Sequence, residues 1–378
     1  MVAHKSGNVG YLGNGFNFNK NYNQKAIKMS KNTFLKKATV SVSFSRWFAF
    51  VLTFAFILAL SLSLCACSQT SQSASSESQS ASSESTQESS QVEQVKVMAL
   101  NGPTGIGMAS LSKNDAYSVS FVGSTDEVVS AFASGSVDIA AVPTNLASAL
   151  WNKTEGKVQM LVVDTLGSLY LLENGESISS LADLAGRKVY ATGQGANPQY
   201  IFEYLLKQAG LEPGVDVEIE YLSEHSELAA LVATGEAELA LLPEPFVSVA
   251  QSKGEGVRIA LDMGAEFEEA TGNSLAMGCV IVRPEFAEQN PGLVEAFLSD
   301  LNSSISQSTS DVEETAQLCA DLGVLPSAEI ASAAIPKCSL VCITGTAAQN
   351  LCSNYLEVLY QSNPKSVGGA LPTEGFYF

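Results

Sequence analysis

The sequence predicts an α/β protein built as two lobes, each a mainly parallel sheet flanked by helices. Three observations carry this reading. Short apolar runs of strand length alternate with amphipathic helical runs from Gln94 to Arg283. The stretch Ser134 to Asn145, S-G-S-V-D-I-A-A-V-P-T-N, is echoed one hundred positions later by Thr234 to Pro245. Each half also opens with a glycine-bearing loop between a strand and a helix, Asn101–Gly107 in the first and Thr192–Pro198 in the second.

The alternation sets the elements in order. Val95–Leu100 reads as a strand, followed by the Asn101–Gly107 loop and a short helical run to Leu111. Tyr117–Val122 is a second strand, with Ser124 or Thr125 as N-cap of the helix Glu127–Ala133. Gly135 ends that helix, Val137–Val142 is a third strand, and Pro143-Thr144-Asn145 opens the next helix. Gln159–Val163 and Ser168–Glu173 follow as strands, with Asp164–Gly167 as a crossing between the halves. The plan then restarts: strand Lys188–Ala191, helix Gln199–Ala209, strand Val217–Leu222, helix Glu227–Ala233, strand Ala237–Leu242, helix Phe246–Gln251 and strand Val257–Leu261. In the echo Ala133/Ala233, Gly135/Gly235, Ala140/Ala240, Pro143/Pro243 and Ser148/Ser248 are identical, and Asp138/Glu238 keeps its charge. A strand Cys279–Arg283 leads into a mainly helical last hundred residues: Pro284–Ser306, Val312–Leu322, Ala328–Ala334 and Thr346–Tyr360, then an extended tail to Phe378.

Charge separates the N-terminus from the rest. Residues 1–66 carry eight Lys/Arg and no acid, whereas residues 67–378 carry twelve Lys/Arg against 39 Asp/Glu, a balance of 12 − 39 = −27. An acidic body of that size repels nucleic acid, which excludes it as a partner. The basic segment reads as an export signal: Lys28, Lys31, Lys36, Lys37 and Arg46 precede the uncharged apolar run Trp47–Ala66. A run of that length also suffices for a retained membrane anchor. The sequence at its end favours cleavage, since Leu64-Cys65-Ala66-Cys67 resembles a bacterial lipobox, with Cys67 as the lipidated (palmitate-bearing) first residue of the mature chain. The Asn- and Gly-rich first 28 residues make the signal unusually long, and a start at Met29 gives an ordinary one. Residues 67–93 form a tether in which Gln72–Ser78 is duplicated as Gln79–Ser85 without an apolar seam, so no coiled coil forms. Its r.m.s. reach is roughly 25–30 Å.

Once Cys65 is removed and Cys67 lipidated, Cys279, Cys319, Cys338, Cys342 and Cys352 remain. Outside the cytoplasm a single structural disulfide is permitted, with Cys279–Cys338 as the expected pair, although spacing does not fix connectivity. There is no CxxC pair and no histidine near these cysteines, so neither a metal nor a cofactor is expected.

The lipobox, the tether, the Ser134–Asn145 element, Ile178–Val189 (I-S-S-L-A-D-L-A-G-R-K-V) and Thr192–Pro198 together resemble the solute-binding lipoproteins of ABC importers, of the nitrate/sulfonate/taurine-like group with the type 2 periplasmic-binding fold. The resemblance covers residues 94–378. It implies two lobes, 94–166 plus 278–378 and 167–277, hinged near Asp164–Leu169 and Ser274–Gly278, with the ligand cleft between them. It further implies a monomer on the outer face of the bacterial cytoplasmic membrane, delivering a small molecule to a permease and its ATPase.

Ligands of open α/β sheets sit beyond the carboxyl ends of the strands, where helix N-termini offer unpaired N–H groups. Six loops qualify. From the first lobe they bring Asn101, Gly102, Thr104, Gly105, Ser124, Thr125, Thr144 and Asn145, and from the second Gly193, Gln194, Gly195, Asn197, His225 and Glu244, as the expected ligand-binding residues. Thr104, Ser124, Thr125, Asn145 and Asn197 also have a purely local reading as helix caps. The glycines of GPTGIG lack dinucleotide spacing. None of the six loops contains Lys or Arg, so a neutral or amine-bearing heterocycle is expected over an anion. An enzyme on the same fold is the remote alternative, because no catalytic residues are recognisable: one histidine in the mature chain, no GxSxG and no ligand cluster. A stand-alone sensory or surface binding lipoprotein is the other.

Overall fold

The computed structural model describes residues 94–378. The export signal, Met29, Cys67 and the tether lie outside the described residues.

The first lobe starts with β1 (Val95–Leu100), the single turn α1 (Pro103–Ile106), β2 (Tyr117–Val122), α2 (Thr125–Ala133), β3 (Ile139–Pro143), α3 (Thr144–Lys153) and β4 (Gln159–Thr165). The Ser124 hydroxyl accepts from the Asp126 N–H to cap α2, whose first turn carries Asp126 and Glu127 against the helix dipole. The chain then crosses to β5 (Leu169–Asn174), β6 (Lys188–Thr192), α4 (Asn197–Gln208), β7 (Glu218–Leu222), α5 (His225–Thr234), β8 (Leu239–Pro243), α6 (Phe246–Lys253), β9 (Val257–Asp262) and α7 (Met263–Thr271). It returns as β10 (Gly278–Val282), followed by α8 (Pro284–Gln289), α9 (Pro291–Ser310), α10 (Val312–Asp321), α11 (Ala328–Ala334), β11 (Leu340–Thr344) and α12 (Gly345–Ser362).

The strands form two sheets, ordered β11-β4-β10-β3-β1-β2 and β7-β6-β8-β5-β9. Omitting β11, one order maps onto the other, and β3 and β8 occupy equivalent places at the hundred-residue offset. The repeated acid has the same use in both. Asp138 pairs with Arg283 at 2.5 Å and Glu238 with Arg187 at 2.6 Å, each beside the start of its strand.

Three sequence expectations are corrected. The sheets are mixed rather than mainly parallel: β2, β1 and β3 run parallel, as do β7, β6 and β8, but β10 and β5 insert antiparallel. The reason is the double crossing, because each sheet takes a strand that comes directly from the other lobe. The long helix expected over Pro284–Ser306 breaks at Asn290, where Pro291 has no N–H to continue it. Within the last hundred residues, expected to be mainly helical, Leu340–Thr344 pairs antiparallel with β4 as an edge strand.

One core cluster runs through both lobes: Val163 and Cys279 of the first, Leu171 and Phe202 of the second, and Tyr355 of α12. Phe267 of α7 meets Tyr355 edge-on, 6.1 Å between ring centroids. The expected disulfide is absent. Cys279 lies in this shared core and Cys338 in a separate cluster with α10 and α11, and both are buried free thiols whose pKa values burial pushes well above normal.

Candidate functional site

All six predicted loops meet at one cleft between the sheets, with a volume of about 1000 Å³. The parallel strands of both lobes end there, so the loops leading into α1, α2, α3, α4, α5 and α6 form its walls. The floor is the pair of crossings, with Thr165 and Ser168 from one and Met277 and Gly278 from the other.

Of the predicted residues, Asn101, Gly102, Thr104, Thr125 and Asn145 line the first wall, and Gly193, Gly195, Asn197, His225 and Glu244 the second. Thr104 and Asn145 are partly occupied locally: the Thr104 hydroxyl donates to Leu100 O, and Asn145 Nδ2 to Ser366 O. The structure keeps Gly105, Ser124, Thr144 and Gln194 out of the lining. Gly105 packs against Leu100 O and Val324, Ser124 is spent as a cap, and Thr144 is fully buried behind Pro143.

His225 starts α5. Its Nδ1 lies 2.6 Å from the Thr192 hydroxyl, and its ring lies over Phe246 at 4.9 Å and 32°. Burial pushes its pKa down, with the Glu224 carboxylate opposing in part, so the ring is neutral at pH 7. The pair gives the second wall an aromatic surface. Glu244 reaches the cleft, but its carboxylate is committed elsewhere. It accepts from the Ser248 N–H and hydroxyl and faces Lys337 Nζ at 3.4 Å, with none of its side chain exposed. Burial raises its pKa, and Lys337 and Ser248 oppose the rise.

Residues outside the six loops complete the cleft. Gly323–Pro326, after α10, close it beside α1, and Lys365 and Ser366 come from a 3-10 turn, Pro364–Val367, seated on α3. Lys365 lines a cleft whose six loops contain no Lys or Arg, and it has no ion-pair partner among the described residues. A turn signal, Asn363-Pro364 followed by Gly368-Gly369, marks this segment in the sequence, yet nothing local says which surface it lies against.

Fold and cleft together define a two-lobed solute-binding protein. The chain belongs to the family of phosphonate-type periplasmic substrate-binding proteins of ABC transporters, whose model matches residues 109–324. It serves as the substrate-binding component of an importer; proteins of this family bind small molecules and deliver them to ABC permeases. Among solved structures, an ABC transporter protein from Parabacteroides distasonis is similar at 25% identity and a TM-score of 0.65, over 75% of this chain and 98% of that one. The periplasmic aliphatic sulphonate binding protein of Escherichia coli aligns at 19% identity and a TM-score of 0.59, over 74% and 93%. The alkanesulfonate-binding protein of Xanthomonas axonopodis pv. citri, bound to MOPS, aligns at 15% and 0.54, over 74% and 94%. Among curated proteins, none matches this chain in sequence. No helix of the described residues is long and apolar enough to cross a membrane.

Proposed function

We propose that this protein is a lipid-anchored binding protein that captures a small ring-bearing molecule of no net charge, or an amine, between its lobes. The observation that carries this is the balance of the cleft lining. A tilted His225–Phe246 pair and the apolar residues Leu100, Leu146, Met277 and Val324 surround the space, while its unpaired charged residues, among those described, are one cation, Lys365, and one anion, Glu224. A phosphonate or sulfonate would leave its further oxygens to hydroxyls and helix N-termini, since no arginine among the described residues lines the cleft. Lys365 favours an anion as the second reading, with the ammonium holding one oxygen.

The contacts assigned to the ligand are the loop residues Asn101, Thr125, Asn145, Gly193, Asn197 and His225, with lobes 94–166 plus 278–378 and 167–277 turning about the two crossings. Ligand that touches both lobes favours their closure, because only the closed form makes every contact. Titration calorimetry against alkanesulfonates, alkylphosphonates, aromatic amines and neutral heterocycles tests the ligand class. Micromolar binding of a sulfonate with none of an amine or neutral ring would overturn it. The anchor is assigned to Cys67: metabolic palmitate labelling of intact cells is expected to mark the protein, and Cys67→Ser to abolish the label.

A further inference from the structure

We infer that His225 presents its Nε2–H to the cleft as a hydrogen-bond donor, held in that tautomer by the Thr192 hydroxyl. It thereby selects a ring-bearing ligand with a neutral acceptor, a carbonyl oxygen or a pyridine-type nitrogen. This rests on the reading of the cleft as the ligand site and narrows its ligand class.

The sheet brings the two residues together. β6 and β7 pair parallel with Thr192 opposite Leu222, and His225 opens α5 just beyond Leu222, so its side chain meets the end of β6. Thr192 is 0% exposed, and its hydroxyl has one partner among the described residues, His225 Nδ1 at 2.6 Å. A hydroxyl has one hydrogen to give. Were Nδ1–H to donate to Thr192, that hydrogen would be buried with nothing to accept it, and an unmet buried donor is costly. When the hydroxyl donates to Nδ1, both atoms are satisfied and the ring proton sits on Nε2. The partner at one ring nitrogen thus fixes the proton on the other.

Nε2 is the nitrogen left for a ligand. His225 lines the cleft, Phe246 at the start of α6 lies against one face of its ring, and Nδ1 is turned to the buried Thr192. Nε2 has no partner among the described residues, yet it is not one of their unpartnered side-chain atoms sealed from solvent, so it is open on the side the ring shows to the cleft. The charge beside it is negative. Glu224, the preceding residue, is exposed, lines the same wall, and its carboxylate acts on the ring. Lys365 comes instead with the turn seated on α3 of the first lobe. An N–H donor beside a carboxylate suits a neutral acceptor. A sulfonate or phosphonate oxygen would meet the donor but also the Glu224 charge, and an ammonium group would set N–H against N–H.

The test uses the full chain in detergent with His4→Gln, which leaves His225 as its only histidine. Nitrogen NMR of the isotope-labelled ring at neutral pH is expected to show Nδ1 as pyridine-type and Nε2 as protonated. Three probes then share one ring: acetophenone, α-methylstyrene, in which a methylene replaces the carbonyl oxygen, and phenylphosphonate. By ligand-observed NMR against a detergent blank, acetophenone is expected to bind about tenfold tighter than α-methylstyrene, and His225→Phe to remove most of that ratio while leaving α-methylstyrene nearly unchanged. Thr192→Val is expected to move the Nδ1 signal to that of a free pyridine-type nitrogen and to lower the ratio, and Thr192→Ser to restore both. A proton on Nδ1, or equal binding of acetophenone and α-methylstyrene, overturns the inference and leaves the uncharged-ring reading standing. Tighter binding of phenylphosphonate than of either neutral probe overturns that reading and the neutral acceptor with it, and binding by none of the three overturns both.

Discussion

Gly278 sits where β10 begins, and a Cβ there would meet Asp164 Oδ1 at 2.6 Å, Thr104 Cγ2 at 2.8 Å and Thr165 Cβ at 2.9 Å. All three are short side chains on packed elements, so none can swing away. Gly278→Ala is expected to cost about 2–3 kcal/mol, read from the midpoint of urea denaturation, and an unchanged midpoint would show that the crossing has room to spare. Its neighbour Asp164 makes a pH prediction. Burial raises its pKa to about 7, with the Thr165 hydroxyl and the backbone opposing only in part. The native state then holds a proton that the unfolded chain releases near its ordinary carboxylate value. Asp164 therefore costs the fold progressively more as pH rises from about 4 to about 7, and nothing further above that. Asp164→Asn, which mimics the protonated acid, is expected to gain stability over wild type across that window and hold a constant advantage above it. Parallel stability curves between pH 5 and 8 would refute this.

Between elements, one contact ties the lobes through Lys337, at the end of the 3-10 turn Ile335–Lys337 that follows α11. Lys337 Nζ donates to Ser248 Oγ at 2.9 Å and pairs with Glu244, while its carbonyl accepts from the Tyr170 hydroxyl at 2.8 Å. Glu244, Ser248 and Tyr170 all belong to the β5–β9 lobe. Lys337→Met would leave the Glu244 carboxylate buried with Ser248 alone, at a cost of about 2–3 kcal/mol, and adding Glu244→Gln should recover much of it. A double-mutant cycle without coupling would mean the pair is idle. None of this was legible in the sequence. Glu244 is expected at the cleft from its place in the loop after the repeated strand, but its partner lies 93 positions away on a segment without periodicity. Edge strand β11 was missed for a related reason. L-V-C-I-T is too short to assert itself, and only the exposed flank of β4 recruits it.

Across the whole molecule, legibility followed locality. The βα loops were found because strand, loop and helix are consecutive, and physics places ligands at such junctions whatever the residues. That is why Asn101, Thr125, Asn145, Gly193 and His225 all reach the cleft. Gln194 and Thr144 did not, because facing within a loop depends on one dihedral and not on composition. Lys365 could not be found at all. Its place in the cleft is fixed by the docking of Pro364–Val367 on α3, through Ser148 and Asn152 to Val367 O, more than two hundred residues apart in sequence. Lys365→Ala therefore separates the two ligand readings: affinity for an uncharged ring should stay within about twofold, whereas affinity for an anion should fall about tenfold or more by calorimetry.

The grip of Lys337 has a mechanical consequence. Two crossings alone make a pair of coaxial pins, about which two bodies swing freely. A third tie, set off to one side, turns the pair into a braced frame. The segment Ala328–Lys337 is packed into the first lobe, Ala331, Ala334 and Ile335 lying in one buried cluster with Ile106, Ala316 and Cys319, and is joined to the second lobe by a salt bridge and two hydrogen bonds. Because α11 is anchored in the first lobe, swinging the lobes apart must undo those bonds, which makes the lysine a catch.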